Sequence, residues 1–194
     1  MKIIVAGGTG FVGTYLVKEL KKKHEVVTIG HSKKSDIVVD ITDKEQLVQL
    51  PAASALINLT AYIPEGGLLH QETAEEAKEC IKVNTLGTYH LLKIAKERRM
   101  KFIQSSSLAV FGSELKQLTN EQTSRKPISV YGLSKYMADC FCELHDATIL
   151  CYSSIYGHGQ RKNSVNPQFI EQARTGKVIV VFGAGQRAMD FVYV

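Results

Sequence analysis

The chain has 194 residues, 44% hydrophobic and 22% charged, enough apolar material for one domain with a core and too much for a disordered chain. No apolar run reaches the roughly 18 residues of a membrane-spanning helix, and the strand-like residues 2–6 follow Met1 too closely for an export signal, so no membrane partner and a cytoplasmic location are expected. The 24 Lys+Arg against 19 Asp+Glu give a net charge of +5, which suits small anions but is too weak an excess to argue for nucleic acid.

Residues 2–6 read as a strand and 11–23 as a helix whose basic end, Lys21-Lys22-Lys23, is a solvated terminus favoured by the macrodipole. Residues 25–29 form a second strand and 36–39 a short third. Leu47 and Leu50 mark a short helix that stops at Pro51, and 55–60 a fourth strand. Residues 73–98 are helical, with Leu86, Leu91, Leu92 and Ile94 on the apolar side. Then come a strand over 101–105, a helix over 129–145 and a strand over 147–152. Such β-α alternation predicts a parallel sheet covered on both faces. Beyond it, residues 160–167 read as a polar loop, 168–174 as helical and 177–182 as a strand, and a strand-like run occupies Phe191-Val192-Tyr193-Val194. Cys80, Cys140, Cys142 and Cys151 form no CxxC pair, so reduced buried thiols and no metal site are expected.

The first strand runs into Gly7-Gly8-Thr9-Gly10-Phe11-Val12-Gly13, which opens the first helix. Small residues there let the backbone approach a pyrophosphate, and the helix start offers free N–H groups. Gly8, Gly10 and Gly13 satisfy GxGxxG, and Gly7, Gly10 and Gly13 satisfy GxxGxxG. The strand-loop-helix setting makes this a dinucleotide site rather than a glycine-rich turn. The acid expected at the end of the second strand, on the ribose diol, is replaced by Gly30, and Asp36 comes too late in the chain. His31, Ser32, Lys33 and Lys34 suit a 2′-phosphate, which tilts the expected cofactor from NAD towards NADP; the other reading is that these lysines are ordinary loop residues.

Tyr131 and Lys135 are four residues apart and share a helix face. A lysine ammonium near a phenol favours the phenolate and makes tyrosine usable as an acid or base near neutral pH. Ser105, Ser106 and Ser107 end the fifth strand, where parallel sheets place their ligands.

In this order and on these elements the motifs resemble those of the extended short-chain dehydrogenases/reductases, the NAD-dependent epimerase/dehydratase family, along essentially the whole chain. Asp40-Ile41 resembles the pair that meets the adenine, and Asn58-Leu59-Thr60-Ala61 the segment beside the cofactor. Asn84-Thr85-Leu86-Gly87-Thr88 resembles the family's asparagine motif, and residues 104–112 the SSSxxVYG segment with Ser107 at the catalytic serine position. Residues 152–160 resemble NxYGPGQ, and 183–194 resemble GxGxxxRDFxYV. The resemblance implies a Rossmann-type, doubly wound α/β fold with an NAD(P)-binding domain over 1–156. It also implies a truncated substrate lobe over 157–194 and a homodimer. Tyr131 would be the acid/base, Ser107 would orient the reacting oxygen, and Lys135 would tune Tyr131 and bind the nicotinamide ribose. Gly7, Gly10, Phe11, Val12, Gly13, His31, Ser32, Lys33, Asp40, Ile41, Leu59, Thr60, Ala61, Asn84 and Ser105 would complete the cofactor site. Ser107, Tyr131 and Ser154 would meet a nucleotide-sugar substrate.

The chain departs from the family pattern at several places. Besides Gly30, Ser154 stands where asparagine is frequent, His158 where proline is, and Met189 where an arginine usually precedes the aspartate, with Arg187 near enough to replace it. Leu108 and Ala109 follow Ser107 where sugar 4,6-dehydratases of the family carry the Asp-Glu pair of the elimination; two apolar side chains cannot supply that acid and base. A nucleotide-sugar 4-epimerase, a 4-keto-sugar reductase using NADPH, and a non-catalytic NAD(P) sensor or inactive truncated member remain open at this level.

Overall fold

β1 (Lys2–Ala6) sends alternate side chains to two apolar layers. Ile3 and Val5 join Val26 and Ile57 on one side, covered by Leu16, Val17 and Leu20 of α1 (Phe11–Leu20). Ile4 and Ala6 join Ile29, Leu56 and Phe102 on the other, under Leu91, Leu92 and Ala95 of α3 (Thr88–Glu97) and Cys142 of α4 (Val130–Glu143). Burial on both faces is why these strands read as near-continuous apolar runs. The computed structural model describes residues 1–65, 72–112, 119–181, 185 and 188–194, which divide into two units, Met1–Tyr152 and Ser153–Val194.

In the first unit β1 pairs in parallel with β2 (Glu25–Gly30) and with β4 (Ala55–Asn58). β2 carries the two-residue β3 (Ile37–Val38), and β4 is followed by β5 (Lys101–Ser107) and β6 (Thr148–Tyr152). The order is β3-β2-β1-β4-β5-β6, the doubly wound arrangement whose direction reverses between β1 and β4 and leaves a crevice at their carboxyl ends.

The region read as one helix over 73–98 is three stretches. α2 (Ala74–Glu79) starts on a Thr73–Glu76 capping box, Cys80–Gly87 widens to i→i+5 pairing, and α3 resumes the α pitch. Such widening is frequent at functional sites. It ends at Arg99, a non-glycine residue with φ of 56°. The helix read around Leu47 is a tight 3₁₀ turn, Lys44–Gln49, capped by Asp43, with Leu47 and Leu50 buried.

In the second unit β7 (Ser154–Tyr156) pairs in parallel with β8 (Phe191–Tyr193). α5 (Val165–Arg174) starts earlier than the sequence reading. Pro167 falls in its first turn, where a missing N–H costs no helical bond. The strand read over 177–182 is not formed in its described part: residues 177–181 have no ladder partner, and Val178 is 83% exposed. Phe182, Gly183 and Arg187 lie outside the described residues.

Candidate functional site

Three strand ends converge below the glycine loop. The Gly7 N–H donates to the Ile29 carbonyl at 2.9 Å, and the Leu59 N–H to the Ala6 carbonyl at 2.9 Å, carrying the β1–β2 and β1–β4 ladders past the strand ends. Gly7 sits at φ +75°, and a Cβ there would come within 3.1 Å of the Leu59–Thr60 peptide. A Cβ at Gly13 would press on the Gly7 carbonyl and stand 2.7 Å from Gly8 Cα. α1 therefore starts flush against the loop, with no side-chain cap, and its first-turn N–H groups lack an i−4 carbonyl.

The result is a cleft of about 400 Å³ at the switch point. Gly7 and Gly10 line its loop side, with Thr9; Leu59, Thr60 and Ala61 line the β4 side. Gly30, His31 and Ser32 line the end beyond β2, and Val39, Asp40 and Ile41, which follow β3 beside it, line the cleft there too, with Val83. The Asp40 carboxylate accepts from the Thr42 N–H at 2.9 Å and its hydroxyl at 2.8 Å. Burial pushes its pKa up, but these bonds and the Lys82 and His31 charges outweigh burial and hold it below the ordinary value. The cleft fits an elongated anionic dinucleotide: its floor is backbone that side chains would fill, and a helix start faces the loop.

Other expected cofactor residues stand behind this lining. Phe11, Val12 and Gly13 form the first turn of α1. Lys33 is exposed in the loop after β2, where the Lys34 N–H donates to Ser32 Oγ at 3.2 Å. Asp36 accepts from the Thr28 N–H at 2.8 Å and the Thr28 hydroxyl at 2.7 Å; it stitches the loop to β2 and does not line the cleft. Asn84, turned inward by the widened helix, donates to the Tyr62 carbonyl and Ser134 Oγ, both at 2.9 Å, and accepts from the Tyr62 N–H at 2.7 Å. Its neighbour Val83, not Asn84, reaches the cleft.

The Ser-Tyr-Lys candidates gather where β5 meets α4. Ser107 Oγ accepts from the Ala109 N–H at 3.2 Å and caps the turn Leu108–Phe111. Gly132 lets the first turn of α4 close on that turn, since a Cβ there would stand 2.5 Å from the Ala109 carbonyl oxygen. Tyr131, half-buried in the same helical turn, is thereby seated beside the Ser107 segment. Lys135 is 2% exposed and donates from Nζ to the Ser105 carbonyl at 2.5 Å. Burial pushes its pKa down to about 8, against the pull of Asp139, Cys142 and Cys151. Ser154 is half-buried on β7 in the second unit.

Sequence reasoning missed a buried polar chain beneath the cleft. Asn58 Oδ1 accepts from Thr60, at 3.0 Å from its N–H and 2.5 Å from its hydroxyl. Asn58 Nδ2 donates to Thr88 Oγ1 and Gln104 Oε1, both at 2.9 Å, and Gln104 Nε2 donates to the Ser105 carbonyl at 3.0 Å. Thr60, on the cleft wall, is thus tied to the carbonyl that holds Lys135. The sequence signal was available: Asn58 and Gln104 are polar residues inside strands otherwise read as apolar. Of the cysteines only Cys80 and Cys142 are buried, their thiols pushed up by burial to about 11 and about 12; Cys140 is half-buried and Cys151 exposed. Among the described residues no group of three His, Cys, Asp or Glu is placed to hold a metal, and no helix is long and apolar enough to cross a membrane.

A parallel sheet of this order, with a glycine loop opening α1 and a cleft at the reversal, defines a Rossmann-type dinucleotide-binding fold. The chain belongs to the NAD dependent epimerase/dehydratase family of extended short-chain dehydrogenases/reductases, whose family model matches residues 3–194. It is 28% identical over 227 aligned residues to a protein of Bacillus subtilis named as an uncharacterized UDP-glucose epimerase, YtcB, covering 100% of this chain and 69% of the relative. Its fold is similar to that of the UDP-glucuronic acid 4-epimerase of Bacillus cereus, solved with UDP-glucuronic acid and NAD (TM-score 0.84, 27% identity, all of this chain and 69% of the other). It is also similar to the UDP-glucose 4-epimerase of Thermotoga maritima, solved with UDP-glucose (TM-score 0.83, 26% identity, again 100% and 69%).

Proposed function

We propose that this chain carries the cofactor site and acid/base machinery of an NAD(P)-dependent enzyme that inverts C4 of a nucleotide sugar. What supports the reading is the close seating of the first turn of α4, which carries Tyr131, on the turn that Ser107 caps, with Lys135 Nζ on the Ser105 carbonyl, in a fold whose cleft suits a dinucleotide. When bound, the cofactor supplies reversible hydride acceptance. Tyr131 then removes the proton from the sugar 4-hydroxyl and returns it, and Ser107 Oγ orients that oxygen. Lys135 favours the Tyr131 phenolate by its charge and contacts the nicotinamide ribose. His31, Ser32, Asp40, Ile41, Leu59, Thr60 and Ala61 hold the adenosine and pyrophosphate, with the first-turn N–H groups of α1. The unit Ser153–Val194, with Ser154, is assigned to nucleotide-sugar contact by family resemblance alone. Leu108 and Ala109 offer no acid or base for elimination, which speaks against a dehydratase.

A second reading, reduction of a 4-keto sugar with NADPH, is favoured by the β2 end of the cleft, where the strand ends in Gly30 instead of a carboxylate and continues into His31 and Ser32. We assign NADP binding at least as tight as NAD on that ground. Homodimerisation is proposed through α4, where Leu133, Met137 and Leu144 stay exposed along one stripe; analytical ultracentrifugation tests it. For the function, the purified chain is incubated with NAD and UDP-glucose or UDP-glucuronic acid, and C4 inversion is followed by proton NMR. NADPH oxidation with a 4-keto sugar nucleotide is followed in parallel. Inversion that falls roughly 10²-fold or more in Tyr131→Phe, with cofactor affinity kept, supports the epimerase. NADPH oxidation alone supports the reductase, and Tyr131→Phe at full rate refutes both.

A further inference from the structure

The three serines that end β5 face three ways. Ser105 gives its carbonyl to Lys135, and Ser107 caps the following turn. Ser106, 4% exposed, turns to α4 and donates its hydroxyl to Asp139 Oδ2 at 2.5 Å. Asp139 follows Lys135 by one helical turn and is 1% exposed. Its other oxygen, Oδ1, is buried with no hydrogen-bond partner among the described residues. A carboxylate enclosed between helix and sheet is costly unless a charge compensates it, and the same holds for a lysine 2% exposed. No step assigned above uses Asp139.

We propose that Asp139, one helical turn from Lys135, is the buried counter-ion that keeps the Lys135 ammonium charged while the Ser105 carbonyl holds its nitrogen, and that Ser106 holds the carboxylate for that task. Asp139 touches neither cofactor nor substrate in this account; it is a positioning residue. The consequence for turnover rests on the reading of Lys135 given above, whereas the titration of the lysine itself does not. The groups facing the pair set the direction. On Lys135, burial acts downward, and Asp139 opposes it ahead of Cys142 on α4 and Cys151 on β6. On Asp139, burial wins and holds the carboxyl above its ordinary value, helped by Glu143, while the Ser106 hydroxyl, Lys135 and Arg125 pull it down towards the charged form. Arg125 is already paired with Glu143 at 2.7 Å. Cys142 and Cys151, pushed up by burial to about 12 and about 11, are neutral thiols where Lys135 titrates, so taking the charge from Asp139 leaves the burial of Lys135 without an opposing charge among these groups.

The test titrates the chain with ¹³C-labelled lysines by NMR, without substrate, the Lys135 resonance being the one missing from Lys135→Met. Asp139→Asn keeps the volume and a partner for Ser106. It should lower the Lys135 midpoint by about 1 pH unit or more. Ser106→Ala, which takes a donor from the carboxylate but leaves its charge, should move the midpoint far less. An unmoved or raised midpoint in folded Asp139→Asn overturns the proposal. If circular dichroism shows that variant unfolded, Asp139→Ser, smaller and also uncharged, decides, and a midpoint that does not fall overturns it. The alkaline limb of kcat/KM should move to lower pH with the midpoint. A moved midpoint with an unmoved limb supports the counter-ion and refutes the catalytic reading of Lys135 instead.

Discussion

Gly30 is where cofactor choice and backbone geometry meet, and a pair of substitutions separates them. Its φ is +150°, a conformation that side chains rarely adopt, and its carbonyl accepts from the Val39 N–H at 3.0 Å, so the peptide is pinned. Space is not the obstacle: a Cβ would stand 3.7 Å from Ser35 Oγ and 3.9 Å from the Gly7 nitrogen. The cost of any side chain is therefore backbone strain of about 1–3 kcal/mol, or a fall in Tm of about 3–10 °C for a unit of this size. Gly30→Ala measures that cost alone. Gly30→Asp adds a carboxylate that accepts from the ribose diol hydroxyls, worth about 1.5–3 kcal/mol when charge-assisted, or roughly 10- to 100-fold in affinity. Scanning calorimetry gives the strain, and isothermal titration with NAD and NADP at matched ionic strength gives the preference. The expected result is equal destabilisation in both variants, with NAD gaining and NADP losing only in Gly30→Asp. An unchanged Tm in Gly30→Ala refutes the strain argument. Identical NAD/NADP ratios in the two variants refute the placement of Gly30 at the ribose.

Three further outcomes follow from the site. Gly13→Ala pushes a methyl into the Gly7–Gly8 backbone and should cost about 1–3 kcal/mol of stability with a clear loss of cofactor affinity; calorimetry with and without NAD reads both. Lys135→Met should weaken cofactor binding and turnover together, read by titration and single-turnover kinetics, because one side chain is assigned both tasks. Asn58→Leu strands the Gln104 carbonyl oxygen and deprives Thr60 of its acceptor. It should destabilise the fold by about 1–3 kcal/mol for each buried group left unpaired and speed amide exchange, least at β2, which the network does not touch.

What the sequence made legible is what short-range spacing encodes. The strand-loop-helix unit at Gly7–Gly13 and the four-residue step from Tyr131 to Lys135 each lie within one turn or loop, so their geometry follows from local period alone. The polar chain under the cleft follows a different rule. Asn58 meets Gln104 across two strands and Thr88 across a strand and a helix, and Ser106 meets Asp139 across a strand and a helix. No periodicity within either element predicts these partners. The inward turn of Asn84 depends on a change of helical pitch within a run that reads as one continuous helix. β7 has the same origin: Ser154-Ile155-Tyr156 is too short to signal a strand, and its partner Phe191–Tyr193 lies far along the chain. Residues 177–181 show the converse, a β-branched run that stays without a ladder because propensity for a pleated surface does not supply one. The strands and the glycine loop are therefore set locally, while the environment of Lys135 is set by tertiary contacts. A YxxxK spacing alone says nothing about whether the lysine is dry, what holds its nitrogen or what balances its charge. In this fold those three conditions come from the Ser105 carbonyl, Gln104 and Asp139, all brought there by the pairing of β5 with β4 and the packing of α4 on β5.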